Sequence, residues 1–390
     1  MNDEILIKKL GKNLDKELES VNFSAEYQNH AKQKLETFSI KIFNLKAVEA
    51  NILKQTCLSL GFDAAVNRYA INCKCDFSDA IICATKLQLK NLAENLKIQP
   101  FRLKFLAENL KNFLSEKKSY VISGQEFDFS QTYIMGILNV TPDSFSDGGK
   151  NFDTETAVKN AFKMIADGAK IIDIGGESTR PTAQKITAQQ EIDRVLPVIK
   201  KIREQNKDII LSLDTIHPST AKIAIDAGVN ILNNVETPEV FEPIFDFLAE
   251  KQTPIVIMHS EGVPPKPVLQ DYNGDIADKI FKFFAEKINY LKAKGLSNNL
   301  FILDVGIGFG KSINDQFELI KRADEFCNLE YPVLWGISRK SFMTKTFVGE
   351  NSDTLTQIFS QHLIMKNANI LRTHNVEQLA KLKNYLSKIK

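Results

Sequence analysis

The sequence predicts a TIM (β/α)8 barrel over residues 134–390, preceded by an additional small N-terminal α/β domain. From Ile134 onward, eight short apolar runs alternate with amphipathic helical patterns, and a polar loop follows each run. The segment is about 257 residues long, which is the usual size of such a barrel. A doubly wound open sheet is the alternative, but the G-x-G-x-x-G turn typical of that fold does not follow the first run.

The apolar runs are short, as expected for parallel strands that are buried on both faces. They are IMGILNV (134–140), KIIDIG (170–175), IILSLD (209–214), VNILNN (229–234), PIVIMH (254–259), LFILDV (300–305), PVLWGI (332–337) and NILRTH (369–374). The helical patterns lie at 154–167, 188–204, 218–227, 240–251, 275–294, 314–324, 353–366 and 376–389.

Residues 1–118, which are rich in Lys, Asn and Leu, form the predicted N-terminal domain. Alternation in residues 38–47 predicts a strand, three- and four-residue apolar spacing in 84–114 predicts helix, and 76–83 fit either a helix or a connector. Because no catalytic constellation is visible there, we interpret this domain as a packing or oligomerisation extension, with small-molecule or partner binding as the alternative. Two alternating runs in residues 119–133 predict a hairpin or linker at the base of the barrel.

The composition argues against nucleic-acid and membrane partners. Fifty Lys and Arg residues nearly balance 48 Asp and Glu residues, for a formal net charge of +2. No apolar run approaches the roughly 20 residues that span a bilayer, and the charged N-terminus lacks an apolar signal core. The five cysteines are irregularly placed, and the Cys73–Cys75 pair has no second pair at zinc spacing. We therefore expect a cytoplasmic protein without disulfides.

Polar residues follow the apolar runs at the edge of the barrel where ligands usually bind. One such residue is commonly a loop cap, whereas polar groups from all eight runs predict an active site. Asp214, Asn233 and Asp304 offer carboxylate and amide groups that suit a heterocycle with N–H donors and a carbonyl. A general acid/base pair or a structural network remains an alternative for these residues.

Lys340 follows the seventh run, and Arg372 and His374 lie at the end of the eighth, where barrels of this kind commonly bind an anionic phosphate group. Asn139 offers a neutral oxygen to a hard cation such as Mg²⁺, which often takes its remaining ligands from water and substrate phosphates. Lys340 also permits a Schiff-base aldolase, but the adjacent Arg339 makes this corner better suited to an anion.

The stretch GIGFGKS (306–312) matches the end of the Walker A pattern, G-x-x-x-x-G-K-[ST]. The first glycine of that pattern is replaced by Val305, and the stretch follows the sixth of eight runs. We therefore exclude a nucleoside triphosphatase.

Several motifs occur in a fixed order from residue 134 to about 376. They are NVTPDSFSDGG, GGESTRP, an Asp-Thr pair after the third run, Met-His after the fifth, D-x-G-I-G-F-G-K, G-x-S-R-K-S and R-x-H. In this order they resemble the dihydropteroate synthase family, and the first two are highly specific. The N-terminal third lies outside the resemblance.

The resemblance implies a transferase of folate biosynthesis that is a sulfonamide target. Members of this family condense 6-hydroxymethyl-7,8-dihydropterin diphosphate with 4-aminobenzoate, which gives 7,8-dihydropteroate and diphosphate. They generally pair, so we expect a homodimer.

The resemblance also implies residue roles. Asn139 corresponds to a ligand of Mg²⁺ on the diphosphate, and Arg372 and His374 to residues that hold the diphosphate oxygens. The predicted pterin contacts are Asp214, Asn233, Met258, Asp304, Phe309 and Lys340. The predicted 4-aminobenzoate pocket comprises Asp143, Phe145, Thr179, Arg180 and Pro181. The predicted catalytic residues are Asp143, Arg180, Asp304 and Lys340.

Two other functions fit parts of the pattern. A pterin-binding methyltransferase acting on methyl-tetrahydrofolate shares the Asp and Asn floor, but it has no need of NVTPDSF, S-R-K-S and R-x-H for diphosphate. A non-catalytic pterin-binding homologue is expected to have lost Asn139 or the R-x-H pair, and this sequence retains both.

Overall fold

The computed structural model describes residues 14–115, 119–140, 150–177, 185–260, 275–327 and 329–389. The chain divides into two compact units, Met1–Glu116 and Lys117–Lys390, and each unit has its own buried apolar core.

The first unit contains a three-stranded antiparallel sheet that packs against helices. In its central strand, Phe77–Thr85, exposed and buried residues alternate, and the buried Ala80 and Ile82 join a core with Leu53 and Leu89. The elements are α1 Leu14–Ser20, α2 Gln28–Leu35, β1 Thr37–Lys46, α3 Ala47–Ser59, β2 Ala64–Val66, β3 Phe77–Thr85, α4 Lys86–Leu96 and α5 Leu103–Leu114, with a 3-10 helix at Ala25–Tyr27.

The local predictions for this unit are partly right. The strand predicted at 38–47 is β1, with bounds one residue earlier. The helical segment 84–114 is divided into α4 and α5, because Pro100 lacks a backbone donor and Phe101 has a φ of 62°. The prediction of a helix or connector at 76–83 is wrong, since residues 77–83 belong to β3.

The second unit confirms the predicted TIM barrel. Eight parallel strands, β6 to β13, form a closed barrel in chain order, and β13 pairs with β6 to complete it. A two-stranded hairpin precedes the barrel. The strands are β4 Ser119–Ile122, β5 Gln125–Asp128, β6 Tyr133–Asn139, β7 Ile171–Gly175, β8 Ile210–Asp214, β9 Ile231–Asn233, β10 Ile255–Met258, β11 Phe301–Asp304, β12 Val333–Trp335 and β13 Ile370–Thr373.

Helices connect the barrel strands and cover them. Residues that point outward from the strands, such as Leu213, Ile257 and Trp335, share one continuous core with the helices. The helices are α6 Lys150–Ala166, α7 Ala188–Gln205, α8 Pro218–Asp226, α9 Phe245–Lys251, α10 Ile276–Ala293, α11 Ile313–Lys321, α12 Ala323–Cys327, α13 Ser341–Thr346, α14 Ser352–Met365 and α15 Val376–Leu386, with 3-10 helices at Pro238–Ile244 and Asn298–Leu300.

The barrel interior is apolar near the base. Every strand contributes one buried side chain to this layer, and the hairpin adds Tyr120, Ile122 and Phe127 to the same cluster. The eight strand residues are Met135, Ile171, Ile210, Ile231, Val256, Ile302, Leu334 and Ile370.

Two residues further along the strands, the interior becomes polar. Because side chains alternate between the two faces of a strand, the residues that follow the apolar layer by two also point inward. They include Asp173, Ser212, Asn233, Asp304 and Arg372. The barrel thus presents polar groups toward the carboxyl ends of its strands, and of the five named here only Arg372 is partly rather than fully buried.

Among the described residues, no helix is both long enough and apolar enough to cross a bilayer.

Candidate active site

A hydrogen-bonded network joins four side chains from four strands. Arg372 on β13 donates from Nε to Asp173 Oδ2 at 2.6 Å and from Nη2 to Asp214 Oδ2 at 2.8 Å. Asn233 on β9 donates from Nδ2 to the same Asp173 oxygen at 3.0 Å. One guanidinium is therefore held between two carboxylates, and Asp173 also fixes the orientation of the Asn233 amide.

Each carboxylate of this network keeps one buried oxygen for another donor. Asp173 Oδ1 and Asp214 Oδ1 have no hydrogen-bond partner within the described part of the chain. An acceptor that is buried without a donor costs about 1–3 kcal/mol, so these oxygens favour a ligand that carries N–H groups.

Burial controls the ionisation of the network. It raises the pKa of Asp214 to about 7, against the opposing effect of the Arg372 charge. Burial also lowers the pKa of Arg372, but Asp173 and Asp214 outweigh that effect and raise this pKa overall. The guanidinium stays charged, while Asp214 titrates near neutral pH.

Asp304 and Lys340 form a second part of the site. Asp304 ends β11, and its Oδ1 accepts from the backbone N–H of Gly306 at 2.7 Å. Lys340 Nζ lies 4.3 Å from the centre of the Phe309 ring, where a cation is attracted to the ring face. Burial raises the pKa of Asp304, and burial together with Arg372 lowers the pKa of Lys340 to about 8.

An apolar wall lies next to these charges. Met258 at the end of β10, Phe309 and Val235 form a small buried cluster, with Ile216 packed against it. Such a wall suits the face of a flat ring whose edge is bound by polar groups.

Arg339 follows β12 and His374 follows β13, and the side chain of each residue has a hydrogen-bond partner. His374 Nδ1 lies 3.0 Å from Ser338 Oγ, and this contact holds the imidazole in one orientation. Arg339 pairs through two nitrogens with Asp353, at 2.7 and 2.9 Å.

The predicted metal ligand, Asn139, is exposed at the end of β6, in register with Gly175 of β7. Its Oδ1 lies 3.7 Å from the position that a Cβ on Gly175 would take. Within the described ranges, no group of three or more His, Cys, Asp or Glu side chains is placed to hold a metal ion. One exposed amide oxygen nevertheless fits Mg²⁺, which accepts a single protein ligand when phosphates and water supply the rest.

Nine of the predicted site residues lie in the described ranges, and the structure joins several of them directly. Asp214, Asn233 and Arg372 share one network, and Met258 and Phe309 share one cluster. The predictions for Asp143, Phe145, Thr179, Arg180 and Pro181 fall outside the described residues.

The sequence analysis did not predict a role in the site for Asp173. A signal was present, because Asp173 is the one charged residue inside the apolar stretch IIDIG. It also missed Ser338, the partner of His374, and Lys311, a buried lysine.

Comparison with known proteins identifies the barrel. A family model described as "Pterin binding enzyme" matches residues 135–374. The chain is 43% identical over 248 residues to a dihydropteroate synthase of Streptococcus pyogenes, and the match covers 63% of this chain and 90% of that protein. It is 38% identical over 333 residues to a probable bifunctional folylpolyglutamate synthase/dihydropteroate synthase of Halobacterium salinarum, covering 85% of this chain and 40% of that protein.

Solved structures agree with the sequence relatives. A Xanthomonas albilineans dihydropteroate synthase with 4-aminobenzoic acid matches 70% of this chain and 98% of its own, with a TM-score of 0.63 and 31% identity. A Yersinia pestis dihydropteroate synthase with a sulfonamide drug complex has a TM-score of 0.62 and 32% identity over the same shares, 70% and 98%.

Proposed function

The chain belongs to the family of pterin-binding enzymes, and from this premise we propose that it is a transferase of the dihydropteroate synthase type. It joins 6-hydroxymethyl-7,8-dihydropterin diphosphate to 4-aminobenzoate, and it releases diphosphate and 7,8-dihydropteroate. Its curated and structural relatives carry that name, and the Xanthomonas albilineans structure described above contains 4-aminobenzoic acid.

The observation that carries the proposal is the pair of buried carboxylate oxygens, Asp173 Oδ1 and Asp214 Oδ1, which have no hydrogen-bond partner among the residues that the structure describes. A pterin ring presents ring and amino N–H donors along one edge, which two such acceptors and the Asn233 amide complement. Asp304 extends this acceptor set, and the wall of Met258 and Phe309 contacts the ring face.

The basic side of the site suits the diphosphate. We assign Lys340, in addition to its predicted pterin contact, and Arg372 to the electrostatic stabilisation of the leaving group. We assign His374, oriented by Ser338, to the diphosphate oxygens. When bound through Asn139 and the diphosphate, Mg²⁺ supplies additional positive charge at the leaving group.

The proposed reaction is a substitution at the pterin methylene carbon. The bond from this carbon to the diphosphate oxygen breaks, and the departing diphosphate takes the electron pair. The amine nitrogen of 4-aminobenzoate then forms the new bond to carbon and loses one proton. The positive charge that develops on the methylene is stabilised by the pterin ring and by a carboxylate, Asp304 or Asp143. The roles of Asp143, Phe145, Thr179, Arg180 and Pro181 in the 4-aminobenzoate pocket remain proposals from the family resemblance.

A binding experiment separates the alternatives. We expect the protein to bind pterin diphosphate tightly with Mg²⁺ and to form dihydropteroate when 4-aminobenzoate is added. Turnover of methyl-tetrahydrofolate would support the methyltransferase, and binding without any turnover would support the non-catalytic homologue.

The metal role of Asn139 is tested separately. In Asn139→Ala we expect the Mg²⁺-dependent part of diphosphate affinity to fall by about tenfold, while the free energy of unfolding stays the same, because an exposed rim side chain is removed. Titration with diphosphate at several Mg²⁺ concentrations measures this, and an unchanged Mg²⁺ dependence removes the assignment.

A homodimer and a cytoplasmic location also remain proposals.

A further inference from the structure

Lys311 is a buried lysine that the proposed chemistry does not use. Its side chain is 4% exposed, and it follows the glycine-rich turn that resembles the end of a Walker A loop. Its Nζ lies 2.9 Å from the carbonyl oxygen of His259, 2.8 Å from that of Gly306 and 3.3 Å from that of Phe309. A lysine ammonium has three N–H donors, so these three carbonyls can occupy all of them.

The three carbonyls belong to segments that carry the proposed pterin contacts. His259 directly follows Met258, and its N–H donates to the carbonyl of Asp304 at 3.0 Å. Gly306 donates its own N–H to the Asp304 carboxylate, and Phe309 supplies the ring of the apolar wall. The ammonium therefore joins the end of β10 to the turn after β11, at the point where both meet the site.

The backbone around Lys311 leaves little room for adjustment. Gly306 has a φ of 68°, and a Cβ on this residue would lie 1.9 Å from the His259 carbonyl oxygen. Only glycine permits the close approach of the two segments that the lysine then holds together. A shift of the turn would move Asp304 and Phe309 with it.

We propose that Lys311 is a positioning residue for the pterin ring and not a ligand of the diphosphate. Its cation fixes the turn of residues 305–310, so that the Asp304 carboxylate and the Phe309 ring face the pterin. This inference rests on the proposed function, because it takes the bound heterocycle to be a pterin. In this role, the Walker-like stretch GIGFGKS (306–312) positions the pterin contacts and does not bind phosphate.

The geometry distinguishes this role from that of a phosphate-binding lysine. A P-loop lysine points its ammonium at the phosphates, whereas the Lys311 ammonium donates to the main-chain carbonyls of His259, Gly306 and Phe309. Lys340, which lies over the Phe309 ring, is the lysine that faces the site.

The test compares ring binding with diphosphate binding in Lys311→Met. This change keeps an unbranched side chain that is one heavy atom shorter, and it removes the charge and the N–H donors. Full-length protein is titrated calorimetrically with 6-hydroxymethylpterin, which lacks the diphosphate, and separately with inorganic diphosphate and Mg²⁺. We expect the affinity for the pterin to fall by about tenfold or more, since the ring contacts are displaced, and the affinity for diphosphate to change by less than about twofold.

Two further variants complete the design. Lys383→Met removes another partly buried lysine, which lies 5.6 Å from the Tyr133 ring at the start of β6, and it should change neither affinity. Lys311→Gln keeps two N–H donors without the charge, so its loss of pterin affinity should be smaller; it also replaces Lys311→Met if that protein does not fold. Unchanged pterin affinity, or a larger loss for diphosphate than for pterin, overturns the proposal. Because these are binding measurements, they remain decisive if the wild-type protein forms no dihydropteroate, a result that would count against the proposed function alone.

Discussion

Asp173 organises the centre of the site although it does not end its strand. It accepts hydrogen bonds from both Arg372 and Asn233, which come from strands on either side of β7 in the closed barrel. Asp214, Asn233 and Asp304 could be predicted from sequence because they end apolar runs, where polar residues stand out. Asp173 lies two residues before the end of its strand, and only the alternation of side chains in a closed barrel shows that it points inward.

Asp304→Asn tests the proposed pterin contact by removing the negative charge of one carboxylate. The substitution keeps the size of the side chain but replaces an anionic acceptor, so we expect the KM for pterin diphosphate to rise by about 10- to 100-fold. Steady-state kinetics with each substrate varied in turn measure the effect. Asp324→Asn removes a surface carboxylate paired with Lys366 at 3.0 Å and serves as the control. A KM near that of the wild type would rule out the contact.

The shifted pKa values of Asp214 and Lys340 predict a narrow pH optimum. Asp214 accepts hydrogen bonds through both of its oxygens only when it is ionised, because protonation turns one oxygen into a donor, so kcat/KM for pterin diphosphate should rise with pH through about 7. Lys340 must be charged to stabilise the diphosphate, so the same quantity should fall as pH rises through about 8. In Asp214→Asn the acid limb should disappear from the residual activity. An acid limb that persists in this variant would assign it to another group.

Secondary structure was predictable from sequence where the hydrophobic pattern fitted only one type of element, a helix or a strand. The barrel runs combine short apolar segments with polar loops, and all eight contain strands of the closed barrel. The segment FSDAIICAT (77–85) was misread because apolar residues occupy both faces of β3: Ala80 and Ile82 are buried, while Ile81 is 53% exposed. This hides the period of two that identifies a strand.

The β4–β5 hairpin gives a prediction about the barrel base. Phe127 is 2% exposed and lies in the cluster with the lowest interior layer of the barrel. Phe127→Ala should lower the free energy of unfolding by about 3–5 kcal/mol, because it leaves a cavity at the base. Val121→Ala on the exposed face of the hairpin should cost less than about 1 kcal/mol.

Chemical denaturation measures both hairpin variants, and activity assays accompany it. The KM values of both should stay at the wild-type level, since the hairpin lies at the opposite end of the barrel from the site. Equal stability of Phe127→Ala and the wild type would show that the hairpin does not contribute to the core.

At the scale of the whole molecule, the closed barrel was predictable, whereas for the first unit only the α/β class could be predicted and not the arrangement of its elements. Eight consecutive strand–helix units are compatible with few topologies, and the closed barrel is the usual one. A unit with one three-stranded sheet and irregular connections allows several strand orders and helix positions. The match to the Halobacterium salinarum protein spans 85% of this chain, while residues 117–390 make up only about 70% of it. The similarity to that protein therefore extends into the first unit.

Removing residues 1–118 tests the role of the first unit. All described residues of the proposed site belong to the second unit, so we expect the shortened protein to keep measurable synthase activity, with KM values within about threefold of the wild type. Activity assays and thermal unfolding of both forms provide the comparison. Loss of all activity in a folded fragment would mean that the first unit contributes to catalysis, and an insoluble fragment would mean that the second unit depends on the first for its solubility.

We propose that the polar residues at the carboxyl ends of the barrel strands catalyse the transfer of the pterin methylene group from diphosphate to 4-aminobenzoate. The most direct measurement is diphosphate release by the purified full-length protein with pterin diphosphate and Mg²⁺, with and without 4-aminobenzoate. We predict sustained release only with both substrates, and one dihydropteroate formed for each diphosphate released. Pterin binding without release in the presence of 4-aminobenzoate, or release without a matching amount of dihydropteroate, would contradict the claim.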